Sequence, residues 1–259
     1  MTDASAPLLC LRGITKHFKA AQVLTGVDLD VPAGQVTVLC GDNGAGKSVL
    51  VKCIAGTHEP DKGKIFWAGQ RVRIRSAREA AALGIETIHQ DLALADNLDI
   101  VQTMFLGREL KRRHVLDEGK MEKVASATLL NLGVTTVRSI RQRVASLSGG
   151  QRQSVAVAKA VMWHSKLVIM DEPTAALDVT QAAMVLDLVR ALRARGLGVL
   201  VIAHDLNDVF AVADRIAVLY GGRVAAEDSV CQFDRRRVVE YMTTGYADED
   251  ATDGGRHYW

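Results

Sequence analysis

Gly41-Asp42-Asn43-Gly44-Ala45-Gly46-Lys47-Ser48 decides how the rest of the chain is read. A glycine, four residues, then Gly-Lys-Ser is the spacing of a phosphate-binding loop. The flanks agree with it. Upstream, Val36-Thr37-Val38-Leu39-Cys40 is a short apolar run rich in β-branched residues and predicts a buried strand. Downstream, residues 49–55 predict a helix that ends near Gly56. Glycines let a backbone wrap closely around a polyphosphate with several N–H groups pointing inward. The helix N-terminus adds unpaired donors and partial positive charge. On this pattern Lys47 reaches the β- and γ-phosphates, and the Ser48 hydroxyl binds Mg²⁺.

The chain has 259 residues, 48% of them apolar, which is enough for a large buried core. Its net charge of +2 is too small to imply a nucleic-acid partner. Basic clusters at 108–114 and at Arg235-Arg236-Arg237 read as solvated surface. Cys10, Cys40, Cys53 and Cys231 have no metal-binding spacing, and Cys40 and Cys53 sit in apolar elements. Buried thiols in a reducing compartment are therefore expected rather than disulfides. Residues 1–7 lack the basic start and apolar centre of a secretory signal. No apolar run approaches the ~18 residues of a membrane span. A soluble, cytoplasmic chain is expected, with any membrane role exercised through a partner.

Along the chain, strands are expected at 8–15 and within 22–31, with Phe18 between them. Phe18 reads either as core or as a platform for a nucleotide base. Strands at 64–67 and 72–74 and a helix at 77–83 ended by Gly84 precede a strand at 85–89, and Gln90 follows it. Residues 91–144 repeat apolar positions at helical spacing and predict a mostly helical insert. Leu147-Ser148-Gly149-Gly150-Gln151 opens a helix predicted at 152–164, with Ser148 a good N-cap. That helix end is either an ordinary glycine-containing cap or a second anion site.

Leu167-Val168-Ile169-Met170 predicts a buried strand that ends in Asp171-Glu172-Pro173. In open α/β sheets, ligands bind beyond the carboxyl ends of the strands. Adjacent carboxylates there are costly unless paired or bound to metal. Asp171 is placed to hold Mg²⁺, and Glu172 to orient or deprotonate a water. A helix is expected at 179–195 and a strand at 198–203, followed by His204, which is either structural or a γ-phosphate contact. A short helix at 206–212, a hairpin turning at Gly221-Gly222 and a last helix at 235–242 follow. Residues 245–259 read as a flexible tail.

Taken together and in order, Phe18, the loop Gly41 to Ser48, Gln90, the five residues from Leu147 to Gln151, the run Leu167 to Glu172, Ala175-Ala176-Leu177-Asp178 and His204 resemble the full motif set of an ABC-type ATPase. The resemblance implies an α/β fold: a P-loop NTPase core with a mixed sheet and flanking helices, an antiparallel β subdomain and a helical insert. It implies a domain over 8–244 with a helical subdomain at about 91–163, an N-terminal extension at 1–7 and the tail at 245–259. It implies ATP and Mg²⁺. Asp42, Asn43, Ala45, Val49 and the loop glycines surround the phosphates, and Phe18 stacks on adenine. Ser48, Asp171 and Gln90 serve Mg²⁺, and Gln90 also belongs with Glu172, the catalytic carboxylate, and His204. Ser148, Gly149, Gly150 and Gln151 bind ATP held by a second copy in a head-to-tail homodimer, with Asp178 at its seam. The wording at 38–47, 89–94 and 104–109 is similar to ATPases of bacterial sugar importers of the ribose, xylose and fructose class. This implies a membrane permease partner, an indirect sugar-binding protein and a place on the cytoplasmic face of the membrane.

Two departures stand out. Val49 replaces a hydroxyl residue that helps bind the α-phosphate, a loss of roughly 1.5–3 kcal/mol of nucleotide affinity. His89 stands where similar proteins often carry Tyr. Two other readings remain: a soluble ABC ATPase of repair or translation, and a nucleotide switch with weak hydrolysis. The first lacks the long coiled coil or the second domain it needs, and Val49 is the one feature that favours the second.

Overall fold

The computed structural model describes residues 7–19, 21–92 and 94–247. Two sheets and a helical insert account for most of it. In the first sheet, β1 (Leu9–Phe18) pairs antiparallel with β2 (Ala21–Val31). The second sheet begins with β3 (Val36–Gly41), which feeds the glycine loop and α1 (Lys47–Ile54). The chain then returns to the first sheet with β4 (Lys62–Trp67) and β5 (Gln70–Val72), giving the antiparallel order β2-β1-β4-β5. Leu24, Val27, Leu29 and Val31 are buried, so one face of this sheet is apolar and the other meets solvent.

α2 (Ala77–Leu83) and β6 (Ile85–Ile88) lead into the insert. There α3 (Ile100–Phe105), a two-stranded hairpin of β7 (Lys111–Arg112) and β8 (Val115–Leu116), α4 (Glu118–Asn131) and α5 (Gly149–Val161) follow in turn. β9 (Leu167–Asp171), α6 (Val179–Ala194), β10 (Gly198–Ile202) and α7 (Leu206–Val212) follow, and β9 and β10 join the parallel part of the second sheet. β11 (Arg215–Tyr220) and β12 (Arg223–Ser229) form the expected hairpin, and α8 (Arg235–Thr244) ends the described fold. The order is β12-β11-β3-β10-β9-β6, parallel throughout except for the β11–β12 pair.

This sheet is the wall between two cores. Val38, Val168, Met170, Val199 and Val201 face one core, shared with Met104, Phe105 and Val155 of the insert. Leu39, Leu167, Ile169, Leu200 and Ile202 face the other, shared with Leu9, Leu24 and Leu29 of the antiparallel sheet and Leu50 of α1. The two-residue period of a strand sends alternate side chains to opposite faces. With both faces covered, the strands read as continuous apolar runs.

Several boundaries differ from the sequence reading. β1 runs on to Phe18, which closes that strand rather than lying beyond it. The third antiparallel pair uses Gln70–Val72 rather than 72–74, because Ala68-Gly69 makes the turn. The insert is less helical than expected, with a hairpin and an α3 of six residues. α5 starts at Gly149 rather than at 152, because its capping box forms at Ser148 and takes both glycines into the first turn. Gly245 closes α8 in the left-handed conformation and Ala247 is buried. The rest of the expected tail and residues 1–6 lie outside the described residues.

Candidate active site

The candidate residues gather at the carboxyl edge of the parallel strands. Leu39 of β3 pairs with Ile202 of β10, which pairs with Asp171 of β9. Ile88 of β6 pairs with Met170. The glycine loop, His204, Asp171-Glu172 and His89-Gln90 thus leave the sheet side by side, where α/β sheets bind ligands.

In the loop, Lys47 is buried, and its Nζ donates to the carbonyl oxygens of Gly41 (2.8 Å) and Asp42 (3.0 Å). Asn43 N–H goes to Asp42 Oδ1 (2.7 Å) and Ala45 N–H to Asp42 O (3.2 Å). Gly46 is the N-cap of α1 at φ 105° and puts no side chain over the helix end. Every other α-helix among the described residues has a Ser or Asp side-chain cap. A Cβ on Gly46 would meet Leu24 Cδ2 at 2.9 Å, and one on Gly41 would press into the Leu219 carbonyl oxygen. Gly44 faces open space. The loop is therefore closely packed behind and open in front, a cradle that fits a polyphosphate. Ser48 is exposed, and Val49 is half-buried with its methyls against the core.

Asp171 is half-exposed, and its carboxylate has no hydrogen-bond partner among the described residues. Burial pushes its carboxyl pKa up and the neighbouring Glu172 charge adds to this, while His89, Lys47 and Lys52 pull the other way. Sequence reasoning gave no account of His89; the structure brings its ring near Asp171. Glu172 holds φ at 48°, uncommon outside glycine and costing of order 1 kcal/mol. Its N–H donates to Ile202 O (3.0 Å), which anchors the bend. Glu172 Oε1 lies 3.5 Å from His204 Nδ1, an ion-pair distance rather than a good hydrogen bond. His204 and Gln90 are exposed.

No group of three or more His, Cys, Asp and Glu suited to a metal occurs among the described residues. The hydroxyl of Ser48, the unpartnered Asp171 carboxylate and the Gln90 amide are instead hard oxygen donors. Mg²⁺ suits such a set, because it keeps waters and phosphate oxygens alongside one carboxylate.

Ser148 caps α5 reciprocally: its Oγ accepts from Gln151 N–H (3.3 Å), and Gln151 Oε1 accepts from Ser148 N–H (3.0 Å). Gln151 Nε2 also donates to Thr136 O (2.7 Å), and Gly150 N–H to Gln181 Oε1 (3.2 Å). A Cβ on Gly149 would meet Leu177 Cδ2 at 2.8 Å, and one on Gly150 would meet Met184 Cε at 2.8 Å. Both glycines thus sit close against Leu177 and the first turns of α6, where an added Cβ would displace flexible side-chain ends. Asp178 is the N-cap of α6, accepting from Gln181 N–H (2.9 Å). Among the described residues, no hydrogen bond or ion pair joins this group to the glycine loop.

Phe18 ends β1 with 39% of its surface exposed. His58 packs edge-on against its ring at 5.2 Å, and Lys16 Nζ lies 5.7 Å from the ring centre. The sequence reading missed His58, which sits in an irregular segment without periodic signal. A cavity of about 290 Å³ opens beside His89, lined by Glu86, Leu92, Met104, Arg108, Lys159 and Trp163 among others. Arg108 stacks on Trp163 at 5.3 Å and pairs with Glu86 at 3.4 Å.

Comparison with known proteins shows the family and the fold. The family model described as ABC transporter matches residues 24–175. The xylose/arabinose import ATP-binding protein XylG of Sulfolobus acidocaldarius is 44% identical, over 92% of this chain and 94% of its own length. The fructose import ATP-binding protein FrcA of Rhizobium meliloti is 43% identical, over 93% and 95%. The ribose import ATP-binding protein RbsA 1 of Rubrobacter xylanophilus is 43% identical over 86% of this chain but 44% of its own length. Among solved structures, a nucleotide-free ATP-binding cassette from an ABC transporter superposes with TM-score 0.79 at 26% identity, covering 90% of this chain and 97% of that one. A dimeric cassette bound to ADP and Pi superposes at 0.72 with 25% identity, over 86% and 98%. The chain belongs to the ABC transporter family, among its ATP-binding ATPase subunits.

Proposed function

We propose that this protein hydrolyses ATP to drive sugar uptake through a separate membrane permease, working as a head-to-tail homodimer on the cytoplasmic face of the membrane. A sugar-binding protein acts with it indirectly, through the permease. The catalytic body is residues 8–244, with the helical subdomain at about 91–163. The observation that carries the reading is the start of α1, which lacks a side-chain cap behind an open glycine cradle, beside the unpartnered Asp171 carboxylate. The 36–44% identity to sugar-import ATP-binding proteins supports the importer class. Among the described residues, no helix is long and apolar enough to cross a membrane, so a permease would have to supply the span.

When bound, Mg-ATP supplies the phosphoanhydride and the cation that neutralises its charge. Lys47 and the α1 N–H groups hold the phosphates, with Asp42, Asn43 and Ala45 shaping the loop. Phe18 stacks on adenine, and His58 steadies its ring. Ser48, Asp171 and Gln90 hold Mg²⁺. Glu172 orients the attacking water and accepts its proton, and His204 donates to the γ-phosphate. Ser148 and Gly150 of the partner subunit complete the site, with Gly149, Gln151 and Asp178 setting their geometry. The cavity beside His89 receives the permease.

The test is the solution mass of Glu172→Gln with and without Mg-ATP. An ATP-dependent step from monomer to dimer is expected. No step, with ATP binding confirmed, would sink the permease-independent dimer. Val49 favours a second reading, a switch with weak hydrolysis, which full ATPase activity with the permease would overturn.

A further inference from the structure

Between Lys62 and Arg78 the chain carries Lys62, Lys64, Arg71, Arg73, Arg75 and Arg78 and no Asp or Glu. Six positive charges in seventeen residues, in a chain whose net charge is +2, leave the rest at −4. β4 and β5 hold this segment on the solvent side of the antiparallel sheet: Ile65 and Trp67 are buried, while Lys62, Lys64 and Arg71 are exposed. Arg12 of β1 stands directly opposite Lys64. Like charges directly opposite weaken a strand pair; here Asp30 offsets Arg12, and Lys64 is left as the cation without a carboxylate of its own among the described residues.

Acids are nearby but already paired with other groups. Asp30 takes Arg12 with two hydrogen bonds of 2.7 and 2.8 Å. Glu59 pairs with Arg73. Asp61 accepts from Lys16 Nζ (2.9 Å) and His17 N–H (2.6 Å), which pull its carboxyl pKa down to about 2. Lys62, Lys64 and Arg71 have no ion-pair partner among the described residues. They line a cavity of about 480 Å³ together with Glu59, Asp61 and Arg73.

We propose that this cavity binds a phosphate-bearing anion, with Lys62, Lys64 and Arg71 as its ligands. It is a second phosphate site, on the antiparallel sheet and distinct from the glycine loop. Arg71 offers the planar fork that matches phosphate oxygens in pairs, and the two lysines act as point charges beside it. Strand pairing fixes all three backbones, so binding has to order only the side chains. A soluble phosphorylated compound and an anionic phospholipid headgroup share this chemistry.

The experiment titrates the full chain with pyrophosphate and follows NMR signals of Ile65, Val72 and Ile74 against those of the Gly41–Ser48 loop. In parallel, vesicles of phosphatidylcholine with and without phosphatidylglycerol are tested by co-sedimentation. Pyrophosphate shifts at the cavity, with affinity reduced about tenfold or more in Lys64→Glu/Arg71→Glu, support a soluble ligand. Phosphatidylglycerol-dependent sedimentation that the same variant loses, without pyrophosphate shifts, supports a headgroup. Shifts confined to the glycine loop without variant-sensitive sedimentation, or binding unchanged in the variant, overturn the proposal. Lys64→Gln/Arg71→Gln carries the same test should charge reversal impair folding, and ATP binding at the loop is expected to stay at the wild-type level in both.

Discussion

Two helices of this protein begin at glycines, and they begin in opposite ways. α1 starts behind Gly46 with no side chain over its first N–H groups. α5 starts under a complete capping box of Ser148 and Gln151, and Gly150 N–H is already spent on Gln181. A side-chain cap contributes about 1 kcal/mol, so leaving α1 uncapped forgoes stability that a bound anion would restore. α5 keeps that stability within the chain, and its glycines answer to packing against α6. The lesson is that two glycine-bearing helix starts can look alike in sequence while one is pre-arranged for a ligand and the other is self-satisfied. An incoming phosphate at α5 has to compete with bonds the chain already makes.

The largest effect expected is on the α1 side of this contrast. Glu172→Gln should slow phosphate release by about 10²–10⁴-fold while ATP binding, followed by equilibrium dialysis, is kept. An unchanged rate would remove Glu172 from the chemistry. Lys47→Ala should weaken ATP binding by about 10–100-fold, the scale of a charged hydrogen bond. Ser148→Ala should leave ATP affinity of the isolated monomer untouched, and an equal loss in both variants would erase the distinction between the helix starts. Val49→Thr should tighten ATP binding by about tenfold, through one restored hydrogen bond to phosphate.

Smaller effects concern stability. Burial raises the Asp171 pKa above the ordinary aspartate value. Between those two values the folded chain keeps a proton that the unfolded chain has lost, so stability falls as pH rises through that window. Asp171→Asn should remove this dependence and slightly stabilise the nucleotide-free protein at neutral pH, at the expense of metal-dependent binding. Thermal unfolding from pH 4 to 8 checks the sign, and a lower Tm for the variant at pH 7 would contradict it. Ser148→Ala should lower stability by about 1 kcal/mol through loss of the cap alone, read as a shift in urea midpoint.

Much of this was legible beforehand. The strands at 36–40, 167–170 and 198–203 are continuous apolar runs because both sheet faces are covered, and such runs announce themselves locally. The hairpin at Gly221-Gly222 and the helix ended by Gly84 follow from turn and cap chemistry within a few residues. The β7–β8 hairpin was not legible, since two-residue strands leave no periodic trace. His58 was missed because its partner Phe18 is forty residues away, and His89 lacked an account because Asp171 reaches it through strand pairing.

By itself the sequence determined which residues can do chemistry here: the glycine loop with Lys47 and Ser48, the acids ending β9, and the order of motifs that marks the family. The tertiary structure decided which of their bonds are already made. It left α1 uncapped and Asp171 unpartnered, satisfied α5 from α6, and set Lys64 opposite Arg12. The physical reason is range. Propensity, periodicity and capping act over a few neighbours along the chain, whereas burial and the choice of hydrogen-bond partner are settled by residues that meet after the two sheets and the insert have packed.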